Sequence, residues 1–302
     1  MQKIFIFENI DTGRDKEIYL NGISEQTKQA VMLLGGTKIT SILLNEKYSK
    51  VKEWTLNRKP ISLVDAWTLF QATGTQSGKL IHEVENCQVR LSCRYSKQRI
   101  PLPRIISEDL AYCIGLILGD GHLPNPANKR KPTWNTTVFF DNKEHQAIYD
   151  SLIEKEFSIR PAHYQRKPNC FDSCINSKVI HWFFSKYFSV HNGKKCNKIY
   201  LPDNILCNKQ TTAAAIQGLF DSDGTITKDG FVKYATTSPV VGNQVAQTIN
   251  SFGILAKTSL WIKESKYLPL HIISISKKSN KLFSEKIGFR HPLKKALLCQ
   301  FV

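Results

Sequence analysis

The chain of 302 residues carries 42 Lys and Arg against 25 Asp and Glu, a formal charge of +17 with a sequence pI of about 9.5. That excess favours a polyanionic partner, and the length allows one large domain or two to three small ones. No run reaches the roughly 20 apolar residues that cross a bilayer, and the start MQKIFIFENIDTG lacks a signal-peptide core, so a cytoplasmic, nucleoid-associated protein is expected.

The basic residues are spread along the chain and interleaved with Tyr, Trp and Phe, which fits a folded surface for double-stranded DNA and no membrane contact. The eight cysteines are unevenly spaced and read as reduced thiols; Cys170 and Cys174 in NCFDSC match no common zinc spacing.

Residues 1–79 read as an N-terminal helical, helix-turn-helix-like DNA-binding domain. Its segment 37–74 holds two short apolar-periodic runs parted by a polar break at residues 45–47, which predicts helix, tight turn, helix. The second run, YSKVKEWTLNRKPISL, begins with Ser49 as its capping residue and sets Val51 and Trp54 on one face. It exposes Lys50, Lys52, Asn57, Arg58 and Lys59, and resembles the recognition helix and R-x-P-I corner of small phage-type helix-turn-helix domains. Lys50, Lys52 and Arg58 are the expected DNA contacts. Residues 80–106 alternate polar and apolar and read as a linker with a short hairpin.

The remainder repeats itself, as residues 107–200 and 201–302. Each half opens with an apolar helix ending in small-Asp-Gly: AYCIGLILGDG at 111–121 and AAAIQGLFDSDG at 213–224. Each continues with a β-rich run, a helix, more β and a last helix. A lone GDG is a common helix stop, with Gly121 as a left-handed terminator. Two matched copies mean more. Gly115 and Gly119 in the first helix, Gly218 and Ser222 in the second, are small residues four apart, a spacing that lets helix backbones approach closely. Packed about a pseudo-two-fold axis, those faces would deliver Asp120 and Asp223 side by side. Each would sit at a negative helix end, disfavoured by about 0.3 to 1 kcal/mol, and a cation between them would relieve the cost.

On the residues IGLILGDG, IQGLFDSDG, KIYLPDNIL and YATTSPVVGNQVAQTINSFGI, the chain from 107 to 302 resembles the LAGLIDADG (dodecapeptide) homing endonucleases. The likeness is to the two-motif, single-chain form found inside inteins and introns. It implies an α+β fold of two pseudo-symmetric αββαββα repeats whose sheets form a saddle over DNA, in a monomer that cuts both strands at a long target site. It implies phosphodiester hydrolysis with Mg2+ (or Mn2+), Asp120 and Asp223 standing at the positions of the catalytic aspartates and the carbonyls of Gly119 and Ser222 offered to the metals. Asp221, turned roughly 200° from Asp223 and matched by Leu118, reads as structural. The family's basic residue beside the scissile phosphate would be Lys277 or Lys278, with only Lys178 offered by the first half. Lys129, Arg130, Lys131, Lys233, Lys257 and Lys263 are expected at phosphates or base edges. The rival reading is a non-catalytic DNA-binding regulator or RNA maturase on the same scaffold. The start MQKIF and end CQFV lack the termini of a self-splicing intein, so splicing is not expected.

Overall fold

Residues 2–7, 10–11, 15–87, 89–94, 96–126, 133–262 and 267–302 are described by the structure, a computed structural model. They form two units, one of Lys3–Arg104 with Glu156–Ser158, the other of Ile105–Lys155 and Ile159–Val302 joined by Gln2.

The first unit runs β1 (Ile18–Asn21), α1 (Ser24–Leu33), α2 (Thr37–Leu43), α3 (Tyr48–Thr55), β2 (Ile61–Ser62), α4 (Leu63–Ala72), α5 (Ser77–Asn86), β3 (Arg90–Cys93) and β4 (Ile100–Pro101). The predicted helix, turn and helix are α2 and α3, with Asn45 at φ 51° in the turn, a left-handed conformation that asparagine tolerates. Val51 and Trp54 are buried from one face of α3. Ser49 is not its cap. The chain is still extended at Lys47 (ψ 136°), so the helix starts at Tyr48 and Ser49 lies inside the first turn.

Nor is this unit purely helical, because a four-stranded antiparallel sheet ordered β2-β1-β3-β4 is built into it. Residues 80–101, expected within a linker, supply most of α5 and two of those strands. Leu80 and Val84, one helical turn apart, are buried, and β3 pairs along the whole of β1 from Ile18↔Cys93 to Asn21↔Arg90. The expected hairpin is β3–β4, but the unit ends at Arg104.

The second unit is α+β and states the repeat twice. The first copy is α6 (Glu108–Asp120), β5 (Gly121–His122), β6 (Asn135–Phe140), α7 (Lys143–Phe157), β7 (Ala162–Lys167), β8 (Cys170–Asn176) and α8 (Lys178–Trp182). After the short α9 (Asp203–Leu206), the second copy is α10 (Lys209–Ser222), β9 (Gly224–Ile226), β10 (Val232–Thr236), α11 (Pro239–Ser251), β11 (Ala256–Trp261), β12 (Leu270–Ile275) and α12 (Asn280–Lys286), and α13 (Pro292–Leu298) follows. The sheets, β5-β6-β8-β7 and β9-β10-β12-β11, are antiparallel throughout and share one strand order.

Matching caps start the two central helices. Ser107 accepts from Leu110 N at 2.9 Å, and Asn208 accepts from Gln210 N at 2.8 Å. In α6 every residue from Leu110 to Leu118 is buried, the pattern of a helix enclosed on all sides. Among the described residues no helix is long and apolar enough to cross a membrane.

Candidate metal and nucleic-acid site

Helices α6 and α10 meet through the small residues. A Cβ added at Gly115 would lie 3.0 Å from the Gly218 Cα and inside contact distance of the Ala215 carbonyl. One added at Gly218 would lie 2.8 Å from the Leu116 N, so backbone touches backbone here. One turn further on, a Gly119 Cβ would stand 3.3 Å from Asp223 Oδ2, which puts the second aspartate directly across the pair. Gly121 is not the left-handed terminator expected. Its φ is −84°, and its hydrogen side chain is needed because a Cβ would sit 2.6 Å from the Ile117 Cα.

Asp120 and Asp223 are exposed residues at these helix ends, yet the protein around their carboxyls still opposes ionisation. Asp223 is pushed up to about 6, first by desolvation and then by the charge of Asp120. Asp120 is raised by desolvation, with Asp141 adding to it. Lys195 and Lys294 pull both carboxyls back down.

Those two lysines are functional candidates that sequence reasoning missed. Lys195 Nζ donates to the carbonyls of Ile117 (3.0 Å), Leu118 (3.0 Å) and Gly119 (2.5 Å) at the end of α6. Lys294 Nζ donates to those of Phe220 (3.1 Å), Asp221 (2.6 Å) and Ser222 (3.3 Å) at the end of α10. The negative helix ends that made the aspartates costly therefore each hold an ammonium group. Burial lowers Lys195 to about 8, against the raising influence of Asp223 and Asp120, and lowers Lys294 as well. A signal existed, since Lys195 follows Asp120 by 75 residues and Lys294 follows Asp223 by 71, beyond the last predicted helix of each half.

Asp221 is structural in its contacts, as its position suggested. Its Oδ2 accepts from the Tyr112 hydroxyl (2.7 Å) and from the backbone N of Arg290 (2.9 Å) and His291 (3.1 Å), tying α6 and the entry to α13 onto α10. The Arg290 guanidinium lies 4.4 Å from the Tyr112 ring centroid and bonds Asp109 (2.8 Å) and Gln217 (2.8 Å). Beside this network stand Asp141, His145 and His291, the one group of three with metal-ligand spacing among the described residues. Cys170 and Cys174 are free thiols outside it.

The other expected residues are scattered. Lys277 has its ammonium 4.2 Å from the Phe231 ring centroid, Lys278 is exposed beside it, and Lys178 stacks 4.4 Å over Trp134. Lys233 and Lys257 both face Ser274 across β12, so Thr225, Lys233, Ser274 and Lys257 form one row on a sheet face, none of them buried. In the first unit Lys52 and Arg58 are exposed, whereas Lys50 turns back to Glu46 (2.5 Å) and Asp65 (3.4 Å). Lys129, Arg130, Lys131 and Lys263 lie outside the described residues.

Two copies of one αββαββα repeat, joined through glycine-faced helices that end in paired aspartates, define the class. Residues 210–288 match the family model described as a LAGLIDADG-like domain. Among curated proteins it is 28% identical over 203 residues to a replication factor C small subunit, and 28% identical over 195 residues to a glutamine–fructose-6-phosphate aminotransferase, both of Methanocaldococcus jannaschii. Those alignments take in 65% and 63% of this chain but 10% and 17% of the relatives' own lengths. Among solved structures, the homing endonuclease I-DmoI in complex with DNA and Ca superposes with a TM-score of 0.48 at 16% identity, over 65% of this chain and 98% of that one. The homing endonuclease I-WcaI bound to its DNA recognition sequence gives 0.46 at 20%, over 64% and 87%.

Proposed function

We propose that the chain is a sequence-specific, divalent-metal-dependent endonuclease for double-stranded DNA, acting as a monomer whose two repeats each serve one strand. The observation that carries this reading is the convergence of Asp120 and Asp223 at the ends of two helices in backbone contact, with one lysine at each end. The donor set fits a hard dication: two crowded carboxyls, one of them held near 6 by burial and by the other's charge, gain most from a shared positive ion. Bound there, Mg2+ or Mn2+ would supply Lewis acidity and lower the pKa of a coordinated water.

The chain's own groups do the rest. Asp120 and Asp223 would hold the ion in their ionised forms. The Gly119 and Ser222 carbonyls would be open to it only with Lys195 and Lys294 released from them, and each freed ammonium would then be available to a phosphate oxygen. Lys195, with a pKa of about 8, can also give up or retain a proton at Nζ near neutral pH. The unburied row Thr225, Lys233, Ser274 and Lys257 is suited to phosphates and base edges, and Lys52 and Arg58 of the first unit to further phosphates. The small share of each curated relative that is matched, in two proteins of unlike names, fits a separable module.

Selection of cleaved sites from a randomised duplex library with Mg2+ tests the proposal. Wild-type protein should yield a defined long site, while Asp120→Asn and Asp223→Asn should bind that site and fail to make double-strand breaks. Binding without cleavage by the wild type would favour the regulator or maturase, and double-strand cutting by both variants would remove the aspartates from the mechanism.

A further inference from the structure

We propose that Asp141, His145 and His291 form a second cation site, for a borderline first-row dication of the Zn2+ kind, distinct from the Asp120–Asp223 pair. Asp141 follows β6, His145 lies in the first turn of α7 and His291 caps α13, so both repeats contribute. One donor atom of each lies within 4.8 Å of the others, with Asp141 Oδ1 and His291 Nε2 3.0 Å apart. The imidazoles are buried, at 3% and 2% exposure, while the Asp141 side chain is 73% exposed and opens the group to water.

Hydrogen-bond polarity fixes the protons. The Tyr112 hydroxyl donates to the Asp221 carboxylate at 2.7 Å, so in its 2.9 Å contact with His145 Nε2 the tyrosine oxygen accepts and the imidazole N–H donates. His145 Nδ1 then keeps a bare lone pair, and no hydrogen bond to it is made among the described residues. A buried imidazole whose far N–H is oriented by a hydroxyl and a carboxylate has the outer arrangement of metal-bound histidines. His291 Nε2–H donates to Asp141. On entry of a cation that proton shifts to Nδ1, which then no longer accepts from the Lys294 backbone N; that capping bond is 3.4 Å long and weak, so little opposes the shift.

The surrounding charge does not oppose a dication. Asp120, Asp141, Asp221 and Asp223 face Lys195 and Lys294, while Arg290 is already paired with Asp109. Two imidazole nitrogens and one carboxylate select Zn2+, Co2+ or Ni2+ over Mg2+, and three protein ligands leave a position for water. An ion here would pin His291, and with it Lys294 in the first turn of α13.

The test uses the full-length, chelator-stripped chain in equilibrium dialysis against Zn2+ with excess Mg2+ present, and needs neither DNA nor cleavage, so its failure is separate from that of the proposed function. One Zn2+ per chain should be retained, with affinity lowered at least about tenfold by Asp141→Asn and by His145→Gln and unchanged by Asp120→Asn with Asp223→Asn. Asp141 is exposed, so its variant reads the site independently of any loss of fold caused by replacing the buried His145. Absence of Zn2+ binding, full retention by Asp141→Asn, loss in the Asp120/Asp223 double variant, or a thiolate charge-transfer band on Co2+ substitution would each overturn the assignment.

Discussion

Asp223 gives the molecule a pH dependence whose sign can be worked out. Its folded pKa, about 6, lies above the value near 4 of an unfolded aspartate, so the folded chain binds the extra proton between those pH values. The stabilising contribution is complete below about 4 and is lost as pH rises through 6. Melting temperatures of metal-free protein should therefore fall over that interval, Asp223→Asn should flatten the decline, and saturating Mg2+ should restore wild-type stability above pH 6 while leaving the variant unmoved. Lys195→Met makes a second prediction: with the α6 carbonyls uncovered, melting should drop by the equivalent of about 1 to 2 kcal/mol, and cleavage should shift from double-strand breaks to nicks. The aspartates were legible from sequence because each closes a local helical pattern. The lysines were harder to read, because what makes them special is three carbonyls far away along the chain; within KKCNK and HPLKKALL only their similar distance behind each aspartate points to Lys195 and Lys294.

Among the elements, the helix pair and α5 give opposite answers to the same kind of change. At Gly115 the atoms an added side chain would meet are backbone carbonyl and Cα, which cannot swing aside, so Gly115→Leu should cost about 3 kcal/mol or more. Gly78, in the first turn of α5, has nothing within 4 Å of an added Cβ, and Gly78→Ala should stabilise by about 0.4 to 1 kcal/mol. Denaturant unfolding of both variants checks the contrast, and equal effects would mean that α6 and α10 do not meet through glycine. Small residues four apart announced that meeting. The strands β3 and β4 were harder to place, because a four-residue strand and a two-residue strand carry little periodicity of their own and become a sheet only against β1. The Asp141, His145 and His291 group was invisible for a related reason: its members come from a strand end, a helix start and a cap, with no spacing to read.

For the whole molecule, the boundary at Arg104 decides which truncations make sense. A chain beginning at Ile105 keeps both repeats and should fold, whereas one beginning at residue 80 would carry β3 and β4 without β1, which pairs along the whole of β3, leaving an unpaired edge prone to association. If the first unit contacts DNA through Lys52 and Arg58, removing it should reduce the slope of log affinity against log salt by a little under one unit for each phosphate no longer neutralised. Titrations of the full chain and the 105–302 fragment at several salt concentrations measure this, and identical slopes would assign the first unit to another partner. The second unit is fastened by its own last turns: Arg290 reaches Asp109 across 181 residues, and His291 reaches Asp141 across 150. During synthesis at about 5 to 20 residues per second, α6 and its acidic first turn leave the ribosome roughly 10 to 40 s before the arginine that closes over them. Until then Asp109 lacks that partner and the glycine face of α6 waits for α10. The catalytic architecture proposed for this protein is therefore closed only once the segment from Arg290 onward has emerged, and a chain released before it would carry both Asp-Gly motifs without the contacts that hold them in register.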